Sequence, residues 1–515
     1  MNRVRLGAAV LWALLVAGCG TYNPNFNSGS PPPPPTGPYS NASLSGQYAF
    51  SMGGEDVNGN SFVRIGSFKA DGQGNITAGI EDIAVLGQTA AFTFTASTYS
   101  IQANGRGTLN LTDSTEKLTF SIALVSAGNG YIVETDSAGT ANGSFAIQTA
   151  SAFSQTSING NYVFDFSGLD ASTQTSSGAV AASVVGEFGA DGNGLISSGV
   201  LDLNEGGRLF SAEPFTGSYA LDATNGNGAN FGRATATINS PGLGMRNFVF
   251  YIVDGSHAKF LEEDTVGVTF GEATGQSAGM PADATALNGS FAFMIGGGSA
   301  QGPIATAGRF TADGNGHISA ITLDENNSGV LDSVTSGAGT SNYNVDPSGD
   351  GRGTIVFNVA QVPFTFVFYL ISPSSAVLQE TDSNITSDGS FLAQTGNPFA
   401  NSSLAGNYAF DWSGSDGAEQ DFTGEYALAS TSSANISGAL DYNELSLGTV
   451  FHNVVISGGL ALSGDGTGRN TLTGTLGSAP QITLGGSVYV VNDGTAFFVG
   501  TKTDRVIAGV MSRQF

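Results

Sequence analysis

The residues of this chain that could do chemistry are carboxylates. Glu134 with Asp136, Glu263 with Asp264 and Glu380 with Asp382 recur near the ends of related segments, and Asp82, Asp202, Asp324 and Asp441 form a second recurring set. If both sets met at one mouth, paired carboxyls could act there as acid and base, or acid and nucleophile, in glycoside hydrolysis. The pattern breaks in the fourth copy, where Lys502 stands in place of the Glu, and no supporting His or aromatic platform accompanies the pairs. Solvated rim acids and loop-anchoring side chains explain them with fewer demands. Cation binding at such a rim is a nearer alternative than catalysis.

A third acidic motif, "ADGQGN" at 70–75, returns as "ADGNGL" at 190–195 and "ADGNGH" at 312–317. A calcium loop needs oxygen ligands at alternate positions, Gly at the sixth and Glu at the twelfth. Here the fifth position reads Asn75, Leu195 and His317, and the fourth copy dissolves into "ASTSSAN". Asp-Gly and Asn-Gly readily take the positive φ of tight hairpins, so these segments are expected to be turns. His257, His317 and His452 fall at non-equivalent positions, and neither a nucleophile elbow nor a phosphate loop is present. Trp412 is expected in a core. No catalytic, cofactor or metal residue is assigned.

The elements around these residues have a period of two. Leu118, Phe120, Ile122 and Leu124 alternate with Thr119, Ser121 and Ala123, and Phe364, Phe366, Phe368 and Leu370 repeat the pattern. Such alternation describes strands with one face in a core. The first unit divides into about eight strands separated by turn-rich tracts. The expected fold class is therefore all-β, with antiparallel strands closing as an up-and-down barrel, or alternatively packing as a β-sandwich.

Self-comparison gives the copy number. "LSGQYAF" at 44–50 recurs as "INGNYVF" (158–164), "LNGSFAF" (287–293) and "LAGNYAF" (404–410). Each copy is domain-sized, so the expectation is four β-modules with separate cores, at 44–150, 158–285, 287–396 and 404–515. The terminal "GVMSRQF" matches "GSFAIQ" and "GSFLAQ", and makes an ordinary last strand.

Upstream, Arg3 and Arg5, the apolar run Leu6–Val16 and "VAGC" read as a secretory signal over 1–19. The last four residues resemble the bacterial lipobox, which implies cleavage and acylation at Cys19, the chain's one cysteine. Gly20 after it, in place of Asp, implies the outer membrane or cell surface. Residues 20–43 carry five consecutive prolines and form an extended stalk. With 16 Lys plus Arg against 42 Asp plus Glu, the chain carries a formal −26, which repels phosphate backbones. Nucleic acid is excluded as a partner.

The "G-x-Y/F" opening of each unit resembles the first strand of the calycins, the lipocalin and avidin type of small barrel. The whole arrangement is similar to Gly-rich repeat lipoproteins of bacterial envelopes, a resemblance that carries no catalytic motif. The expected function is that of a non-enzymatic, monomeric envelope lipoprotein, held to the membrane by lipid on Cys19 and offering an array of modules to a glycan or envelope protein. Binding of a small apolar ligand inside calycin-like barrels, and carbohydrate hydrolysis by the rim carboxylates, are the alternatives.

Overall fold

The computed structural model describes residues 38–515 apart from 86–87, 171–178, 223–227, 266, 337–340, 360–361, 397, 401–403, 430–433 and 478–481. Cys19, the signal segment and most of the stalk lie outside the described residues. Among the described residues the chain is strands and short turns, without an α-helix.

The first module runs through β1 (Ser45–Asp56), β2 (Ser61–Asp71), β3 (Asn75–Val85), β4 (Gln88–Thr93), β5 (Ser97–Ile101), β6 (Arg106–Thr112), β7 (Lys117–Ser126), β8 (Asn129–Glu134) and β9 (Gly139–Ile147). Strands β4 and β5 share one place in the ring, both pairing with β3, and Ala96 between them has φ 49°. Every module is therefore an eight-position meander. Its first strand pairs with its last in all four copies, as in Tyr48 with Ile147 and Tyr408 with Arg513. That pairing selects the barrel over the sandwich. The second and fourth modules are closed barrels, and pairing of β2 with β3 closes the first. Among the described residues the third is an open sheet with Val330–Ser336 and Asn342–Val345 at its edges, and the bridge His317–Asn342 joins the start of its third strand to Asn342.

The Asp-Gly segments are the hairpins joining the second and third strands. Asp71 accepts the amides of Gln73 (2.7 Å) and Asn75 (3.0 Å), and Asp191 and Asp313 repeat the pattern. Gly72 and Gly74 sit at φ 78° and 109°, where a Cβ would be strained. These hydrogen bonds, the first from the Asn75 side chain, hold the Asp71 carboxyl below its ordinary range.

Inward-facing aromatics fill each barrel. Phe310 is fully buried against Phe291, Phe293, Phe357 and Phe391 at centroid distances of 5.2, 6.3, 5.5 and 5.5 Å. In the first three modules a second-strand glycine makes room for the ring beside it, while the equivalent Gly424 of the fourth faces Leu440. A Cβ on Gly308 would lie 2.6 Å from the Phe293 ring and 2.8 Å from Thr322 O, and Gly66 and Gly186 face Phe50 and Phe164 in the same way. We expect Gly308→Val to cost about 1–3 kcal/mol, because the strand cannot retreat from either neighbour. A thermal melt that matches the parent's would contradict this packing.

The four interiors are separate clusters, as a series of domain-sized copies requires. The modules are nonetheless not independent beads. Strands one to three of each barrel pack against strands six to eight of the next, and the fourth barrel packs in the same way against the first. Three further apolar clusters lie in these seams. The arrangement is a head-to-tail ring that closes after four units within one chain.

Like ends of the barrels lie together. Gln148 donates to Phe231 O and Ile252 O of the second barrel, and Gln276, Gln394 and Gln514 make the same clasp on the third, fourth and first. The following amides, of Thr149, Ser277, Thr395 and Phe515, bond to Val253, Ile371, Val491 and Val125 across the same seams. The chain terminus thus does more than finish a strand: it completes the ring, and Tyr39 Oη caps it by donating to Phe515 O at 3.0 Å.

Candidate functional site

The second recurring set of acids lies in the seams. Asp82 is on β3, whose side chains alternate so that Glu81 points into the first barrel and Asp82 points out. It is 1% exposed, and it accepts both Nε (2.8 Å) and Nη2 (2.7 Å) of Arg233 and the hydroxyl of Tyr251 (2.6 Å), all from the second barrel. Asp202 holds Arg352 and Tyr369 of the third barrel identically, and Asp324 holds Arg469 and Tyr489 of the fourth. Asp441 closes the ring on Arg106 of the first barrel at 2.6 Å. There Ala123 stands where the others place Tyr, and Asn453 supplies the additional contact to the arginine.

Each latch is a planar guanidinium on a carboxylate, the geometry that makes a buried ion pair tolerable. In Arg352 the hydrogen bonds it donates to Asp202 lead a strong upward shift of the guanidinium. The Asp82 carboxylate in turn contributes, after burial, to raising the Tyr251 hydroxyl, which stays a donor. The expectation of solvated rim acids is therefore corrected for Asp82, Asp202 and Asp324. They sit on the outward faces of the barrels, but a neighbouring barrel covers those faces.

The first set divides into two. Asp136, Asp264 and Asp382 accept the backbone amides of Thr119, Asn247 and Thr365, so each anchors its loop to the sixth strand. Glu134 and Glu380 point into the barrel ends, 1% and 2% exposed. Register pairs Phe120 with Glu134, Phe248 with Glu262 and Phe366 with Glu380. The counterpart of Glu134 in the second barrel is thus Glu262 and not Glu263. A shift of one residue along a strand reverses the face, and Glu263 accordingly turns outward, 3.8 Å from Arg233 in the seam. "YIVETD" aligned with "KFLEED" already carries this register.

The barrel-end acids are plugs. Glu134 and Glu81 flank Arg64 at 3.5 Å each, with Glu116 at 2.9 Å. Burial first, against the pull of Arg64, pushes Glu134 up to about 8 and Glu81 to about 7. Glu262 is bonded by Thr269 and lies 3.2 Å from Arg246, and Glu380 is bonded by Ser387. A raised carboxyl beside a carboxylate is what an acid–base pair requires, but aromatic side chains occupy the space a sugar would need. The interior of the second barrel holds free volumes of 40 and 30 Å³, lined by Phe164, Phe166 and Phe248 among others. An apolar cavity of about 150 Å³ is the size that takes up benzene. Among the described residues no group of three or more His, Cys, Asp or Glu could hold a metal ion.

Sequence reasoning missed the latch arginines and the clasp glutamines. The signal was present: Arg106, Arg233, Arg352 and Arg469 recur in the Gly-rich turns "NGRGT", "FGRAT", "GDGRGT" and "GTGRNT" of a chain with 16 Lys plus Arg in all. A basic residue kept at one place in every copy is unlikely to be turn filler.

The two ends of the ring differ. One bears the Asp-Gly hairpins, Tyr39 and Phe515. At the other, Val57, Met245, Val330 and Leu447 stand 58–63% exposed at hairpin tips, with Leu209 and Leu331 beside them.

No protein-family model matches the chain, and no curated protein matches it. Among solved structures it is similar to transferrin-binding protein B. The intact two-lobed Ap-TbpB is 9% identical, over 77% of this chain and 86% of that one, with a TM-score of 0.22. The protein from serogroup B Neisseria meningitidis is 11% identical over 75% and 85%, also at 0.22. A mutant of the vaccine antigen from Haemophilus parasuis Hp5 is 10% identical over 75% and 83%, at 0.21. At these TM-scores the chains do not superpose as wholes, so neither a residue nor a ligand is carried over.

Proposed function

We propose that this protein is a lipid-tethered binding platform of the cell envelope, a ring of four barrels without an enzymatic site. The observation that carries this reading is the use made of its acids. The residues that could have formed four parallel active sites are consumed in seam latches, loop anchors and barrel plugs. What remains free is surface, and its most distinctive part is the end bearing Val57, Leu209, Met245, Val330, Leu331 and Leu447. Isolated exposed apolar residues are ordinary, but six at hairpin tips on one side of a ring form a contact surface. The stalk joins the ring through Tyr39 at the opposite end, so a tether at Cys19 would turn these tips away from the membrane.

Two measurements test this. Cys19→Ser is expected to move the protein from the membrane fraction to the soluble fraction, and retention in the membrane would remove the lipid tether. Binding of the mature ring to isolated envelope material is expected to fall at least tenfold in a Val330→Ser/Leu331→Ser/Leu447→Ser variant with an unchanged melting temperature. Equal binding would remove the tips from the binding surface.

A further inference from the structure

Not every seam carboxyl has a cation. The seam between the fourth and first barrels buries Asp411, Glu419 and Asp421 from one side and Glu55 from the other, all at most 8% exposed. Each aspartate has one neutral donor from across the seam: Asn142 Nδ2 to Asp411 at 3.1 Å and Thr140 Oγ1 to Asp421 at 2.9 Å. The second oxygen of each, Asp411 Oδ1 and Asp421 Oδ1, is buried without a hydrogen-bond partner. Asp82, held in its own seam by two guanidinium nitrogens and a hydroxyl, has the setting of an ionised group; these have the setting of neutral acids.

The charged groups around them offer no compensation. From the fourth barrel Arg505 reaches Gln420 at 3.5 Å and pairs with Asp504. From the first barrel the facing groups are Glu55, Asp56, Thr140 and Asn142, and Asp56 is engaged by Asn58 and Asn60. The Arg106–Asp441 latch in this seam is already a matched pair.

This seam is also the one that no peptide bond spans, since the other three are linked by the chain. The seam diametrically opposite, between the second and third barrels, carries a similar arrangement. Asp165 and Asp388 meet there, 6% and 2% exposed, and Asp165 Oδ1 and Asp388 Oδ2 are buried without a hydrogen-bond partner. The remaining two seams differ: one contains Lys259 paired with Glu272, and the other is lined by Met294, Ala307 and Val510.

We propose that the ring is proton-gated: it is closed while the carboxyls of the fourth–first seam are protonated, and opens there as they ionise, hinging on the opposite acidic seam. Burial is the first cause acting on each of these groups. It raises Glu55 to about 7 and moves Asp411, Glu419 and Asp421 upward, with neighbouring carboxylates adding to the effect. In the open ring the same groups meet water and return towards the ordinary carboxyl value of about 4. The closed form therefore retains protons that the open form loses, and closure weakens as pH rises from about 4 towards the raised values, then levels off. Each proton released on opening makes opening about tenfold easier per pH unit within that window.

The test uses the mature chain with Cys19 replaced by Ala and a single cysteine placed in a seam. Ser512 lies in the fourth–first seam, 2.7 Å from Tyr131, and Ser390 lies on the last strand of the third barrel, paired with Met294, where it serves as the reference position. The rate of thiol modification of Ser512→Cys relative to Ser390→Cys, a ratio that cancels the thiol's own ionisation, is expected to rise at least tenfold from pH 5 to pH 8. Introducing Glu55→Gln, Asp411→Asn, Glu419→Gln and Asp421→Asn, which hold the neutral form, is expected to abolish the rise. Small-angle scattering of the cysteine-free chain gives an independent reading, with a radius of gyration that grows between pH 5 and pH 8 only when the four acids are present. A flat ratio with a constant radius, or a rise that survives the four substitutions, overturns the proposal.

Discussion

Arg233→Ala is expected to lower stability by about 3–5 kcal/mol, the cost of leaving a buried charge without its partner. The substitution takes two hydrogen bonds from Asp82, and Tyr251 alone remains to the carboxylate in a seam 1% open to water. Water cannot follow without parting the first and second barrels, so the carboxylate must either take up a proton or break the seam. Asp82→Ala/Arg233→Ala is expected to recover part of the loss, because the desolvation cost of Asp82 then disappears along with the attraction while Asp222 still loses its arginine. Thermal unfolding of the parent, the two single variants and the double variant checks this. Additive losses in the double variant would mean that the two residues do not act as a pair. A ring of four modules need not unfold in one step, so the first transition is the one to compare.

Phe310→Ala is expected to cost about 3–5 kcal/mol by emptying the centre of the third barrel. Its ring touches four others, and its own strand is held by backbone bonds to Asn288–Ser299 on one side and Ile318–Asn327 on the other, so the space cannot collapse. Among the described residues the third module is an open sheet whose third strand meets Asn342 through a bridge from His317, which leaves its closure dependent on the aromatic filling. Loss is therefore expected to be confined to the third module and its two seams in hydrogen exchange. Uniform deprotection across all four barrels would mean that the interiors are not separate. Phe310→Leu, which keeps most of the volume, is expected to cost less than half as much.

Both variants act on features of very different legibility. The Phe310 setting could be read directly, since alternation of Phe291, Phe293 and Phe310 with small residues on hairpin-linked strands names the inward face and its contents. The turn identity of the Asp-Gly segments was equally open, because the φ values that Gly72 and Gly74 adopt are local properties. Arg233 stands in the turn "FGRAT", but its partner lies 151 residues upstream, and nothing local distinguishes a latch from a solvated arginine. Glu263 differs from its expected place because adjacent glutamates on a strand face opposite ways, and only the pairing of Phe248 with Glu262 decides which one enters the barrel. The sixth strands did carry a hint of the seams: "FVFYIV" at 248–253 and "FVFYLI" at 366–371 are apolar on both faces, as strands covered on both sides must be.

The sequence by itself determined what short-range physics controls: the period of two, the position of each turn, eight strand positions per copy and four copies. Closure of those copies into a ring was decided by the tertiary structure alone. Whether successive barrels trail in a line or meet end to start depends on the rotation between one outer face and the next. That rotation is set jointly by contacts such as Arg352 on Asp202 and Gln514 on Leu124, which exist only once distant strands have folded and met. The same step decided the state of the acids, because a carboxylate on an outward strand face is solvated or buried according to what another barrel places against it.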